Sequence, residues 1–150
     1  GRFERRETDM NEPLTLRYDI DGENFTSAGE ASVKVKKALR QLGFSQEIIR
    51  RVSIAMYEGE INMVIHANGG YAQVSILPDL IEILLCDRGP GIPDVALAMQ
   101  AGYSTAPEQI RALGFGAGMG LPNMKANTDE MTIHTKVGEG TTIRMIVKTA

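Results

Sequence analysis

The hydrophobic and polar positions of this 150-residue chain change period several times, and each change marks an element. Leu14, Leu16, Tyr18 and Ile20 alternate with polar neighbours, which predicts an opening strand turned by Asp21-Gly22. Ser27 with Glu30 three residues later is a capping-box pattern, ahead of a helix that stops near Gly43. Ser45 can cap a second, longer helix reaching about Ala67. Its apolar Ile48, Val52, Ala55, Met56 and Met63 recur at helical spacing. Asn68-Gly69-Gly70 ends it, and the period shortens. Residues 71–77 and 80–86 are apolar-rich runs on either side of Pro78-Asp79 and predict a hairpin. Pro93 and Asp94 open a short helix ending at Gly102. Residues 103–118 have no period and carry Pro107 and several glycines, the mark of a functional or mobile segment. Pro122 starts a last helix, to about Asp129. Residues 131–137 and 141–148 flank Gly138-Glu139-Gly140 as a second hairpin.

These elements predict an α/β (α+β) two-layer sandwich, with a mixed, mainly antiparallel sheet and helices on one face. Residues 1–12 are charged and polar and read as a flexible terminus, leaving residues 13–150 as one domain. A domain of this size buries roughly 70% of the surface its unfolded chain exposes, enough for a real core.

Composition narrows the function classes. The net charge is -3, so the basic footprint of a nucleic-acid binder is missing. Lys34, Lys36, Lys37 and Arg40 cluster in sequence, but helical spacing spreads them over a solvated face. Trp is absent and aromatics are 5%, which argues against base-stacking platforms. Cys86 is the one cysteine, so no internal disulfide forms. Beside an apolar run it reads as a small buried core residue. That usage suits a reducing, cytoplasmic setting. No signal peptide is read, and no apolar run is long enough to span a bilayer, so no membrane role is expected.

Four stretches could carry chemistry. Glu58 and Asn62 lie four apart on the second predicted helix and share a face. A carboxylate can take a proton from an attacking hydroxyl, and an amide oxygen is a hard ligand suited to magnesium. Alone, the pair reads more simply as a solvated carboxylate and an incidental amide. Asp87-Arg88-Gly89-Pro90-Gly91-Ile92 follows an apolar strand. Its aspartate can accept a hydrogen bond from an exocyclic amine, and its glycines let backbone approach a flat ring. An ordinary Asp-Gly turn has the same composition. Residues 114–121 carry glycine at every second place ahead of a helix, where freed backbone N–H groups can cradle phosphates. No Gly-Lys-Ser/Thr follows, so this is not a Walker loop, and without a parallel βαβ unit it is not a dinucleotide fingerprint. The fourth stretch is Gly138-x-Gly140-Thr141-Thr142.

Taken in order, these stretches resemble the N box, the two glycine boxes and the terminal Gly-Thr element of the GHKL ATPases. The resemblance covers residues 45–148 and implies the Bergerat fold of the histidine-kinase-like ATPase domains. Gly102-Tyr103-Ser104-Thr105, Gly118-Met119-Gly120-Leu121-Pro122 and Asp129-Glu130 look like the stand-alone serine/threonine kinases of anti-sigma and stressosome-switch type. The resemblance implies ATP and Mg2+ as cofactors, with Glu58 as general base and Asn62 on the nucleotide's magnesium. It implies that Asp87 reads the adenine amine, that Gly89, Gly91 and Ile92 shape its pocket, and that Thr141 or Thr142 approaches the adenine side. Thr105, Gly114 and Met119 would also belong to the nucleotide site, and Gly116, Gly118, Gly120 and Leu121 would wrap the phosphates as part of a glycine lid over residues 114–121. It implies a STAS-domain substrate, a sigma factor or another response regulator as partner, and a possible homodimer. Two alternatives accompany the kinase: a nucleotide-gated sequestering module without phosphotransfer, and a catalytic fragment of a sensor histidine kinase. His66 and His134 read as structural and surface residues, and neither lies in a phosphoacceptor helix pair. Gly59 stands where relatives usually place alanine, and glycine costs a helix interior about 1 kcal/mol, so a looser helix is expected. Asn123 and Asn127 stand where smaller or basic residues are expected.

Overall fold

A computed structural model of the chain describes residues 14–23, 27–67, 69–100 and 120–150. Five strands form one sheet: β1 (Leu14–Asp21), β2 (Gly69–Ile76), β3 (Leu80–Asp87), β4 (Glu130–Lys136) and β5 (Gly140–Lys148), in the order β1-β2-β3-β5-β4. The four pairings described are all antiparallel, so the sheet lies at the antiparallel end of the expectation. Both sequence-predicted hairpins form, as β2–β3 and β4–β5. Four helices are described: α1 (Glu30–Gln41), α2 (Gln46–His66), α3 (Val95–Ala98) and α4 (Gly120–Ala126).

Alternation along each strand puts Ala72, Val74, Ile81, Ile83, Leu85, Ile143, Met145 and Val147 on one face. They pack against Val35 and Leu39 of α1, Val52 and Met56 of α2, and Met124 of α4. Burying each such large side chain contributes about 1.5–3 kcal/mol. Met56, Met63 and Met124 fill core positions. Cys86 does not. It is partly exposed, and its sulfur accepts from the Thr142 hydroxyl at 3.8 Å across the β3–β5 pairing. The strand's alternation turns it away from Leu85, so an apolar neighbourhood in sequence became the opposite sheet face.

Caps set the helix ends. Ser45 caps α2 as expected, its hydroxyl accepting from Ile48 N at 3.2 Å. Asp94 caps α3 through Leu97 N at 3.0 Å. The capping box expected from Ser27 and Glu30 does not close α1. Gly29 is the N-cap and supplies no side chain, while Glu30 is the first helical residue. The acceptor comes from α2 instead. The Glu60 carboxylate, 3% exposed, accepts from Gly29 N at 2.8 Å, Ala31 N at 3.2 Å and Ser32 N at 3.1 Å. Three of the N–H groups that a helix start leaves open are thus met by one charged side chain. Pro122 is the third residue of α4 rather than its opener. It remains in the first turn, where a missing N–H leaves no helical bond unmade.

Gly59 has a packing role that the sequence did not show. It is buried where α2 crosses β3, and a Cβ there would run into Leu85 Cδ1. Glycine therefore buys close approach of helix to sheet, and the loss in helix propensity is set against packing with Leu85.

Candidate nucleotide site

The end of β3, the turn after it and the β4–β5 hairpin converge on one place. Asp87, the last residue of β3, is half-buried. Its Oδ1 accepts from Gly89 N at 2.8 Å and from Thr141 N at 3.1 Å. Both bonds fall on Oδ1, so Oδ2 keeps its lone pairs for another donor. Burial pushes the Asp87 carboxyl up from its ordinary value of 3.8, and the N–H groups of Gly89 and Thr141 pull it partly back.

The turn itself is pinned at several points. A side chain at Gly89 would meet Ala67 Cα at 2.6 Å, at the end of α2. Gly91 has φ +81° and lies against the Lys136 carbonyl, so it satisfies both a left-handed turn and a close approach. Pro90 O accepts from Gly138 N at 2.8 Å. Ile92 N donates to the Thr135 hydroxyl at 2.8 Å, which is also 2.8 Å from the Thr141 hydroxyl. Sequence reasoning missed Thr135. Its pairing opposite Thr141 in the predicted second hairpin was the available signal.

Of the two candidate threonines, Thr141 is buried beside Asp87, whereas Thr142 faces the other side of the sheet toward Cys86. The structure brings Asp87, Gly89, Gly91, Ile92 and Thr141 together and leaves the Thr142 side chain out.

The other half of the site lies on α2 and α4. Glu58 and Asn62 are half-buried and one turn apart on α2. Glu58 Oε1 accepts from Asn123 Nδ2 of α4 at 3.1 Å. Glu58 Oε2 lies 3.9 Å from where a Gly120 Cβ would stand, so the carboxylate faces the start of α4. Leu121 is 6% exposed and part of the core, which leaves only its backbone to face a ligand. Thr105, Gly114, Gly116, Gly118 and Met119 lie outside the described residues. No cluster of three or more His, Cys, Asp or Glu able to hold a metal is present among the described residues. A neutral amide such as Asn62 fits magnesium that arrives with phosphates, because that ion keeps most of its shell as water and phosphate oxygen. No helix among the described residues is long and apolar enough to cross a membrane.

A half-buried aspartate at a strand end, a pinned glycine turn and a helix bearing Glu58 and Asn62 make up the candidate site. The model of the histidine kinase-like ATPase domain family matches residues 8–147, and the chain belongs to that family. It is 31% identical over 115 residues to the serine/threonine-protein kinase RsbT of Bacillus subtilis, covering 74% of this chain and 80% of that one. It is 33% identical over 135 residues to an anti-sigma F factor of Pasteuria penetrans, covering 83% and 87%. Among solved structures it resembles the RsbU and RsbW domains of a Mycobacterium tuberculosis protein, with TM-score 0.60 and 16% identity, covering 89% of this chain and 32% of that one. That likeness shows the fold. The expected enzyme class, an ATP-dependent serine/threonine kinase of anti-sigma regulatory type, agrees with the named relatives.

Proposed function

We propose that this chain transfers the γ-phosphoryl group of Mg-ATP to a serine or threonine of a STAS-domain antagonist or scaffold. The placement of Glu58 carries this reading: half-buried, one turn from Asn62, with Oε1 engaged by Asn123. Oε2 is then left to take the proton of an acceptor hydroxyl as that oxygen attacks phosphorus. Magnesium neutralises charge developing on the phosphate oxygens, and Asn62 would be its protein ligand. Glycine N–H groups in residues 114–121 would hold the phosphates. Oδ2 of Asp87 would accept from the adenine amine. The test is to incubate the protein with Mg-ATP and purified STAS-domain proteins from the same organism, then search for phosphoserine and phosphothreonine by mass spectrometry. Stoichiometric phosphate on one partner is expected, and no phosphate on any would sink the reading.

Asp87 yields a separate prediction. Asp87→Asn keeps an oxygen for Gly89 N and Thr141 N but replaces the free acceptor with a donor. A hydrogen bond to a charged group is worth about 1.5–3 kcal/mol, so ADP affinity by calorimetry falls about 10- to 150-fold. In the wild type, affinity declines on acidification through a pH above aspartate's ordinary value, because burial raises the folded-state value. For stability the sign is opposite. The ionised form is disfavoured by folding, so this group's contribution is present at pH below the unfolded value and is lost as pH rises through the folded one.

A second reading is favoured by the anti-sigma F factor relatives. The chain would hold a sigma factor or another regulator, with nucleotide state deciding release. Pull-downs with ATP, ADP and no nucleotide separate the two: nucleotide-dependent capture without phosphotransfer selects the second, and equal capture in all three removes it.

A further inference from the structure

We propose that Asn123 is a positioning residue for the Glu58 carboxylate and sets its competence as a base; this rests on the general-base reading of Glu58 above. The Asn123 amide nitrogen is 3.1 Å from Glu58 Oε1. A carboxylate only accepts, so the amide must present its NH2 side. One oxygen is thereby held and the other, on the Gly120 side, stays available. The donor is neutral. A lysine or arginine there would also orient the carboxylate but would make it a poorer base through its positive charge.

Asn123 is itself held. Its backbone carbonyl accepts from Asn127 Nδ2 at 2.8 Å, and the Asn127 backbone carbonyl accepts from Arg51 Nε at 3.1 Å. Arg51 also pairs with Asp129 at 3.2 Å, and Asp129 accepts from Lys148 N at 2.7 Å. Arg51 stands seven residues before Glu58 on α2, so it and Glu58 lie on one face two turns apart. Helix α4 is therefore tied to α2 at its middle, through Asn123, and just past its end, through Asn127, while buried Leu121 and Met124 seat it in the core. Departures from the expected sequence at positions 123 and 127 thus form one continuous brace ending on the base.

The test uses the full chain and hydrolysis of Mg-ATP by water, so no partner is needed. Asn123→Ala lowers kcat about tenfold, as misplacement of a reacting group does, with KM for Mg-ATP within about twofold. Asn123→Asp, the same shape with no donor when ionised, loses more. In a Glu58→Ala background, Asn123→Ala has no further effect. In the nucleotide-free protein, the Asn123 side-chain amide pair in 15N–1H spectra, assigned by its loss in Asn123→Ala, shifts in Glu58→Ala. Undiminished kcat in Asn123→Ala beside an inactive Glu58→Ala overturns the proposal. So does an equal loss in both backgrounds, or a rise in KM alone, either of which marks a structural role. Unchanged hydrolysis in Glu58→Ala overturns the base reading and this proposal together, and is recognised by arising in that variant.

Discussion

Glu60→Ala is expected to lower the free energy of unfolding by about 3–5 kcal/mol, read from urea denaturation at neutral pH. Three backbone N–H groups at the start of α1 end on this one carboxylate, at 2.8, 3.2 and 3.1 Å. Alanine leaves them open in a buried place, and each orphaned donor costs about 1–3 kcal/mol before relaxation. The loss of a negative charge at the positive end of a helix adds to this. Glu60→Gln separates the contributions. Oε2 accepts two of the bonds and Oε1 the third, and an amide can reproduce only one oxygen. Its NH2 would then face an N–H, so about 1–2 kcal/mol is lost. An alanine variant within about 1 kcal/mol of wild type would show that water or Ser27 replaces the carboxylate without strain.

Glu58→Ala is expected to slow phosphoryl transfer by about 10²- to 10⁴-fold, the range that a positioned general base contributes. Nucleotide affinity should stay within a few-fold, because the adenine and phosphate contacts proposed above fall to other residues. The pair of measurements matters more than either alone. Loss of rate with retained binding assigns Glu58 to the transition state. Loss of both would mean that the carboxylate holds α4 in place through Asn123. Glu58→Gln keeps the volume and a hydrogen-bonding oxygen but not the base, so it should fall with alanine rather than with wild type.

Much of this was legible in the sequence because the signals were local. Ser45 and the 3.6 period place α2, the alternating runs place both hairpins, and Asp87-x-Gly89-x-Gly91 falls where β3 ends. Reading failed where a residue's partner is remote. The cap of α1 comes from 28 to 31 residues away, so Ser27 and Glu30 offered a plausible but wrong local answer. Gly59 looked like a weakness because Leu85, which fills the space beside it, lies on another element. Asn123 looked like a departure because its contact with Glu58 spans 65 residues. Cys86 and Thr142 followed from strand parity, which hydropathy averaged over a short run conceals. The strand order, with β5 between β3 and β4, left no periodic trace at all.

The turn of α2 from residue 58 to 62 has an implication for how this chain can vary. Three consecutive residues answer to three different elements: Glu58 to α4, Gly59 to β3 and Glu60 to α1. Each residue advances a helix by about 100°. Deleting one residue just before this turn would swing the base, the spacer and the cap each onto its neighbour's bearing. Insertions and deletions here cannot be absorbed, so length changes in this lineage should collect in loops on either side of the helix.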